Sequence, residues 1–335
     1  MLRNRVRSRS RAIGLFSDAA LNINFVPISG ASPSLDSRIT FTRSSTATYI
    51  NSAGVISNAA INEPRFDYDP TTLSLKGLLI EGQRTNLLLQ SAALSTQSVT
   101  VSATSYTLSF YGTGTITLSG AFSGALNGSG AFPTRSTLTF TPTSGTLTLT
   151  VTGTVQNAQL EVGAFPTSYI PTTTTASTRS ADIASMTGTN FSSWYNQVEG
   201  TLYLQAQCIS AVTSQTYLGI DNNSANNFIC VRTSPSSTTF DRAQVTDGGV
   251  TQAALGASGY VATAINKYAF AYKTNDFARS INNSAISADA SGTIPDVNQM
   301  FIGSERGSSI LNGHILRISY YPSRLSNEKL KAITS

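Results

Sequence analysis

The residues in this chain best placed to do chemistry are the charged ones between Glu63 and Arg84. Glu63, Arg65, Asp67, Asp69, Lys76, Glu81 and Arg84 put seven charges into 22 residues of a chain that is 12% charged overall. Carboxylates grouped in this way can divide acid and base roles across a cleft about 5 to 10 Å wide. Beside arginines they can instead clamp a ligand or hold parts of a structure together. The local pattern favours holding. In PRFDYDP an extended backbone sends Arg65, Asp67 and Asp69 to one side and Phe66 and Tyr68 to the other, while Pro64 and Pro70 keep the segment out of a sheet centre. GLLIEGQRTNLL then carries Glu81 and Arg84 on an apolar stretch. An ion-pair set drawn from Arg65, Asp67, Asp69, Glu81 and Arg84 is expected, either locking one subunit to another or knotting the chain to itself.

Other reactive chemistry is sparse. The single histidine, His314, sits in the strand-like LNGHILRISYY and reads as a satisfied strand residue. Cys208 and Cys230 lie in apolar strand-like segments and read as buried small hydrophobes, with a disulfide between them left open. Metal-type cysteine spacing, GxxxxGK and GxSxG are all absent from the sequence. No metal and no cofactor are expected. The later carboxylates, Glu199, Asp221, Asp241, Asp247, Asp276, Asp289, Asp296, Glu305 and Glu328, fall mostly at turns or strand ends, where solvation or turn capping is their usual use. Non-enzymatic function is therefore expected.

Sugar binding needs less: aromatic faces with Asp and Asn on loops. Asp221, Asn222, Asn223, Asn226 and Asn227 form one such polar loop, and Trp194 and Tyr195 are the densest aromatic pair. A hairpin turn and core packing are the plainer uses of the two groups.

The elements that must carry these residues are strands. From Ser91 to Gln156 the only charged side chain is Arg135, and Thr, Val, Tyr and Phe alternate between Gly and Pro breaks. That pattern predicts a small antiparallel β-sandwich. From Phe191 a second series of strands follows, EGTLYLQAQCIS to GHILRISYY, of a size for a larger two-sheet jelly roll. SRLSNEKLKAIT predicts a closing helix with Ser326 as cap, Glu328 in its first turn, and Leu325, Leu330 and Ile333 docking. The fold class is all-β: two sandwich or jelly-roll domains behind an extended N-terminal arm, with a short C-terminal helix. The expected boundaries are an arm over 1–34, an attachment segment over 35–88, a small sandwich over 89–172, a linker over 173–190 and a jelly roll over 191–335.

Arg3, Arg5, Arg7, Arg9 and Arg11 occupy alternate positions and supply the whole of the +5 net charge. This is a basic arm on a neutral body. It suits an acidic groove on a partner through bidentate contacts, and no specific nucleic acid is expected. No apolar run is long enough to span a bilayer, and no secretory h-region follows the arginines, so no membrane insertion is expected.

LDSRITFTRSSTATYINSAGVI (35–56), NEPRFDYDP (62–70) and GLLIEGQRTNLL (77–88) together resemble a block found in tailed-bacteriophage virion proteins of the head-spike and tail-fibre type. NAQLEVGAFPTSYIPTTTTASTRSAD (157–182) resembles the end of a carbohydrate-binding-module-like sandwich. The C-terminal part, ending NGHILRISYYPSRLSNEKLKAI, resembles a concanavalin-like (laminin G-like) jelly roll. The resemblance implies a structural virion protein assembled in the host cytoplasm, anchored through its N-terminal region to capsid, connector or tail. It further implies a homotrimer with outward domains that contact host surface polysaccharide. A glycan depolymerase or glycosidase on the same scaffold, and a purely structural cement protein, are the alternatives.

Overall fold

The computed structural model describes residues 16–27, 31–210, 214–233, 241–256 and 259–335. Arg3, Arg5, Arg7, Arg9 and Arg11 lie outside the described residues. The protein is all-β, with a short helix Asn327–Thr334 near its C-terminus. It divides into two compact units. One comprises the described residues up to Thr42, Lys76–Ile80 and Ile183–Ser335; the other comprises Arg43–Leu75 and Glu81–Asp182. Each unit is discontinuous in sequence, so the units cut across the contiguous boundaries expected from composition. The reason is strand pairing over long separations.

In the first unit, one antiparallel sheet runs Ser287–Asp289, Asp276–Ile281, Asn266–Lys273, Glu199–Cys208, Gly313–Tyr321, Leu75–Ile80. Leu21–Asn24 also pairs with Gly313–Tyr321, bringing Asn22 opposite Ser319. At the other end of that strand, Gly313 faces Ile80 and Ile315 faces Leu78. Gly77 makes this approach possible: its φ is +108°, and a Cβ there would lie 2.4 Å from the Ile315 carbonyl oxygen. The second sheet runs Thr40–Thr42, Ile183–Thr187, Gln299–Ile302, Thr216–Asp221, Phe228–Thr233, Asp241–Asp247, Val250–Gly256. The sheets meet through contacts such as Tyr217 against Tyr268, ring centroids 4.9 Å apart.

Strict in–out alternation fails in this unit, for a physical reason. Strand Asn266–Lys273 is buried at Tyr268, Ala269, Phe270, Ala271 and Tyr272 in succession. Its outer face is covered as well, because Ala269 and Ala271 pack with Phe16, Tyr203, Tyr321, Leu330 and Ile333. A strand covered on both faces reads as a continuous apolar run. The closing helix supplies part of that cover. Ser326 caps it by accepting from the Lys329 N–H at 3.3 Å, Glu328 stands in its first turn, and Leu330 and Ile333 are buried. Cys208 and Cys230 are both buried and both free thiols.

The second unit holds the small sandwich. Its two sheets run Gly124–Asn127, Thr115–Gly120, Gly145–Thr152, Gln97–Val101 and Gly130–Phe140, Tyr106–Gly112, Gln156–Val162. Here the period of two holds: Leu147 and Leu149 are fully buried, with threonines between and around them. They meet Leu108, Phe110, Ile116 and Leu118 in one core. The 173–190 tract, read as a linker, instead contributes strands. Ser177–Arg179 pairs with Arg84–Asn86, and Ile183–Thr187 pairs with Thr40–Thr42 and Gln299–Ile302.

Candidate functional site

The charged stretch folds into a sealed ion cluster within the second unit. Strand Arg65–Tyr68 turns Arg65 and Asp67 into the interior and leaves Phe66 and Tyr68 half-buried. Arg65 Nη1 donates to Glu81 Oε2 at 2.7 Å and to the Thr48 carbonyl at 2.9 Å. Arg65 Nη2 donates to Asp182 Oδ2. Arg43 Nη1 reaches the other oxygen of Asp182 at 3.1 Å, and Arg179 Nη1 lies 3.0 Å from Glu81 Oε2. Backbone bonds close the ring: the Glu81 N–H donates to Asp182 Oδ2 at 2.8 Å, and the Asp182 N–H donates to the Glu81 carbonyl at 3.0 Å. All five side chains are at most 1% exposed.

Stripping water from five ions costs several kcal/mol each, and only dense pairing with further hydrogen bonds offsets it. That condition is met. Glu81 also accepts from the Ser168 N–H at 2.8 Å and Ser168 Oγ at 2.6 Å, while Arg43 Nη2 donates to the Ala60 carbonyl at 2.6 Å. Burial alone would raise the Glu81 carboxyl. Arg179 and Arg65, together with the Ser168 bonds, outweigh it and hold Glu81 well below the usual carboxylate range. A carboxylate so held does not take up a proton near neutrality, and so is unsuited to general acid chemistry.

The remaining residues of the charged set have separate uses. Asp67 accepts from the Ile50 N–H at 2.8 Å. Asp69 lies past the strand end and caps a turn, accepting from the Thr71 and Thr72 N–H groups at 3.0 and 2.7 Å. Arg84 pairs with Glu161, Nε to Oε2, at 3.6 Å. These contacts correct the reading of an inter-subunit lock. Arg65 and Glu81 meet inside one chain with no exposed surface, so neither can reach across to a neighbour.

The loop after Asp221 is a hairpin turn to strand Phe228–Thr233, with Asp221 opposite Phe228. Asp221 is buried, and its Oδ1 accepts from the Asn223 N–H at 2.8 Å and Gln299 Nε2 at 2.7 Å. Asn223 takes φ +67°, a turn conformation that asparagine tolerates. Asn226 and Asn227 tie the hairpin to the next turn, through Gly249 N–H to the Asn226 carbonyl and Gly248 N–H to Asn227 Oδ1. Asp221 Oδ2 and Asn222 Oδ1 are buried oxygens that accept no hydrogen bond. Among the described residues no group of three His, Cys, Asp or Glu side chains is arranged to hold a metal ion.

Trp194 and Tyr195 do not form a surface platform. Trp194 is 5% exposed and its Nε1 donates to the Asn190 carbonyl at 2.7 Å. Its ring packs edge-on to Phe191 and Tyr320, with centroids 5.0 and 5.1 Å apart, and Tyr195 stacks on the same two rings. Their aromatic faces are spent on the interior of the first unit.

No family model matches the chain, and no curated protein matches it. Solved structures overlap it in part. One is the Ruminococcus gnavus IT-sialidase CBM40 bound to alpha2,3 sialyllactose: 16% identity, TM-score 0.38, covering 44% of this chain and 87% of that one. Another is the NanB sialidase from Streptococcus pneumoniae, at 13% identity and TM-score 0.37, covering 44% of this chain and 26% of that one. A leech intramolecular trans-sialidase overlaps at 19% identity and TM-score 0.34, over 42% and 23%. Overlap of this extent carries no functional argument.

Arg43, Arg179, Asp182, Glu161 and Ser168 complete the cluster and its surroundings, and none was singled out from the sequence. One signal was there: Arg179 and Asp182 are charges inside a tract of Thr, Ser and Ala that is otherwise uncharged from Pro166 to Asn190. A charge in such a tract needs a partner, or solvent, to justify it.

Proposed function

We propose that this chain is a non-enzymatic structural and adhesive protein of a tailed-phage virion, with host surface glycan as its ligand. The observation that carries the reading is the use of the virion-type block itself. Its charges are closed into a solvent-free cluster that ties together segments from Arg43 to Asp182, which is a scaffold's use of charge. Glycan contact falls to the hairpin at Asp221–Asn227, where Asn223 and Asn226 are exposed. Exposed amide side chains can both donate to and accept from sugar hydroxyls. The assembly proposed is a homotrimer held to capsid, connector or tail through the arginine arm.

Glycan-array binding with the full chain and with Asn226→Ala tests the adhesive part. Binding by the parent that falls in the variant is expected. Sustained release of oligosaccharides from host polysaccharide would overturn the non-enzymatic reading. Antibody labelling of particles by electron microscopy, with and without residues 1–12, tests the virion part; wild-type incorporation of the truncated chain excludes the arm as the anchor.

A further inference from the structure

The outer face of the second sheet of the first unit carries three arginines. Alternation along two paired strands turns Ile229, Val231, Ala243 and Val245 into the core and leaves Arg232 and Arg242 half-buried on the other face, directly opposite each other. The loop after Gln299–Ile302 brings the third. It crosses the sheet over Gly219, where a Cβ would lie 3.0 Å from the Ser304 carbonyl oxygen. Arg232 and Arg306 then each stand 5.9 Å from the Phe228 ring centroid. On the far side the edge strand sets Gly256 opposite Arg242 and Ala254 opposite Gln244, both exposed and too small to cover them.

Charge on this face is unbalanced, and the imbalance sits at Arg242. Glu305 is divided between two arginines: Arg232 Nη1 donates to its Oε2 at 3.2 Å and Arg306 Nη2 to its Oε1 at 2.8 Å. Arg242 pairs with no carboxylate among the described residues. Its Nη2 donates to Gln244 Oε1 at 2.6 Å, an oxygen that also accepts from Arg232 Nη2 at 2.7 Å. Its Nη1 makes no hydrogen bond among the described residues. Burial, and then the neighbouring Arg232 charge, push the Arg242 guanidinium below its ordinary range. With Asp221, opposite Phe228, counted beside Glu305, three cations still face two carboxylates. Solvent reaches the arginines: the Arg232 side chain is 16% exposed and that of Arg306 21%.

We infer that this arginine face binds the carboxylates of an acidic polysaccharide, a uronic-acid chain, with Arg242 as the main contact and Arg232 beside it. This deepens the glycan reading above and rests on it. A guanidinium fork matches a planar carboxylate, and both arginines already converge on the planar oxygen of Gln244, its uncharged counterpart. The face also runs into the hairpin: Arg306 Nη1 donates to the Ser224 carbonyl at 3.3 Å, next to the exposed amides of Asn223 and Asn226. Those amides and the exposed Thr251 suit sugar hydroxyls. Thr251, Ala254 and Gly256 beside the arginines offer small or hydroxyl contacts, not the large apolar centre of a protein interface.

Binding of the full chain to immobilised alginate, a polyuronate, tests this, with uncharged dextran and poly-L-glutamate in parallel. Alginate is expected to bind at least about tenfold more tightly than dextran, because charge-assisted hydrogen bonds separate the two. The difference should shrink as salt is raised. Arg242→Gln, which breaks no ion pair, should lower alginate affinity roughly tenfold at an unchanged melting temperature, and Arg242→Lys should recover part of the loss. Equal affinity for alginate and dextran, poly-L-glutamate bound as tightly as alginate, or full alginate binding by Arg242→Gln overturns the inference. Array glycans bound while alginate is not would sink this inference alone; a chain that binds no glycan of any kind sinks the adhesive reading with it.

Discussion

Arg65 and Glu81, sixteen residues apart, meet through a 2.7 Å bond between Nη1 and Oε2 with neither side chain touching solvent. Nothing in that pair is available to a substrate, yet much of the second unit depends on it.

Removing one partner should therefore be severe. Arg65→Met leaves Glu81 and Asp182 buried with one cation fewer, and a broken buried pair costs about 3–5 kcal/mol. Denaturant unfolding monitored by circular dichroism reads this directly. A loss below about 1 kcal/mol, the range of exposed pairs, would mean that water reaches the cluster.

Acid should weaken the same unit. Glu81 ionises well below its ordinary value of 4.5 when folded. A depressed carboxylate contributes stability that is complete above the unfolded value and fades as pH falls through the folded one. Melting temperature should thus decline below about pH 4.5, and in Glu81→Gln, less stable throughout, that decline should be shallower. Parallel pH profiles for the two proteins would remove Glu81 as the source.

The thiols should be silent in the native state. Burial pushes the Cys230 thiol up to about 12, and Cys208 is likewise buried. The thiolate is the reactive form. At pH 8 a thiol reagent such as DTNB should label neither cysteine until denaturant is added, and then label both. Rapid native labelling would show that the first unit opens at one of these strands.

Trp194→Ala should act on stability and spare binding. Deleting a buried aromatic side chain costs about 3–5 kcal/mol, and Trp194 packs against Phe191, Tyr195 and Tyr320. Glycan binding measured well below the melting temperature should be unchanged. A stable variant that has lost glycan binding would restore this ring as a ligand platform.

Much of the fold was legible because period-two alternation has a single cause, a sheet with one wet face. Leu147 and Leu149 with their intervening threonines are such a case. Tyr268 to Tyr272 gave no such alternation, since the closing helix and Phe16 dry the outer face too. The cluster was half legible. Arg65 and Glu81 stood out as charges among leucines, but Arg43 and Asp182 are joined across 139 residues, and spacing carries no information at that range. Trp194 and Tyr195 stayed open between sugar and core, with core the plainer use, because an aromatic pair reads alike whichever it faces.

The pairing of Asn22 with Ser319 has a consequence in time. Ser319 Oγ donates to Asn22 Oδ1 at 3.0 Å across 297 residues. At roughly 5–20 residues per second, the ribosome delivers the second partner on the order of 15–60 s after the first. Throughout that interval the strand Leu21–Asn24 is a bare edge, open to any other nascent chain of the same kind. Every residue of the second unit emerges within the same window, so that unit can fold while the first waits for its last strand.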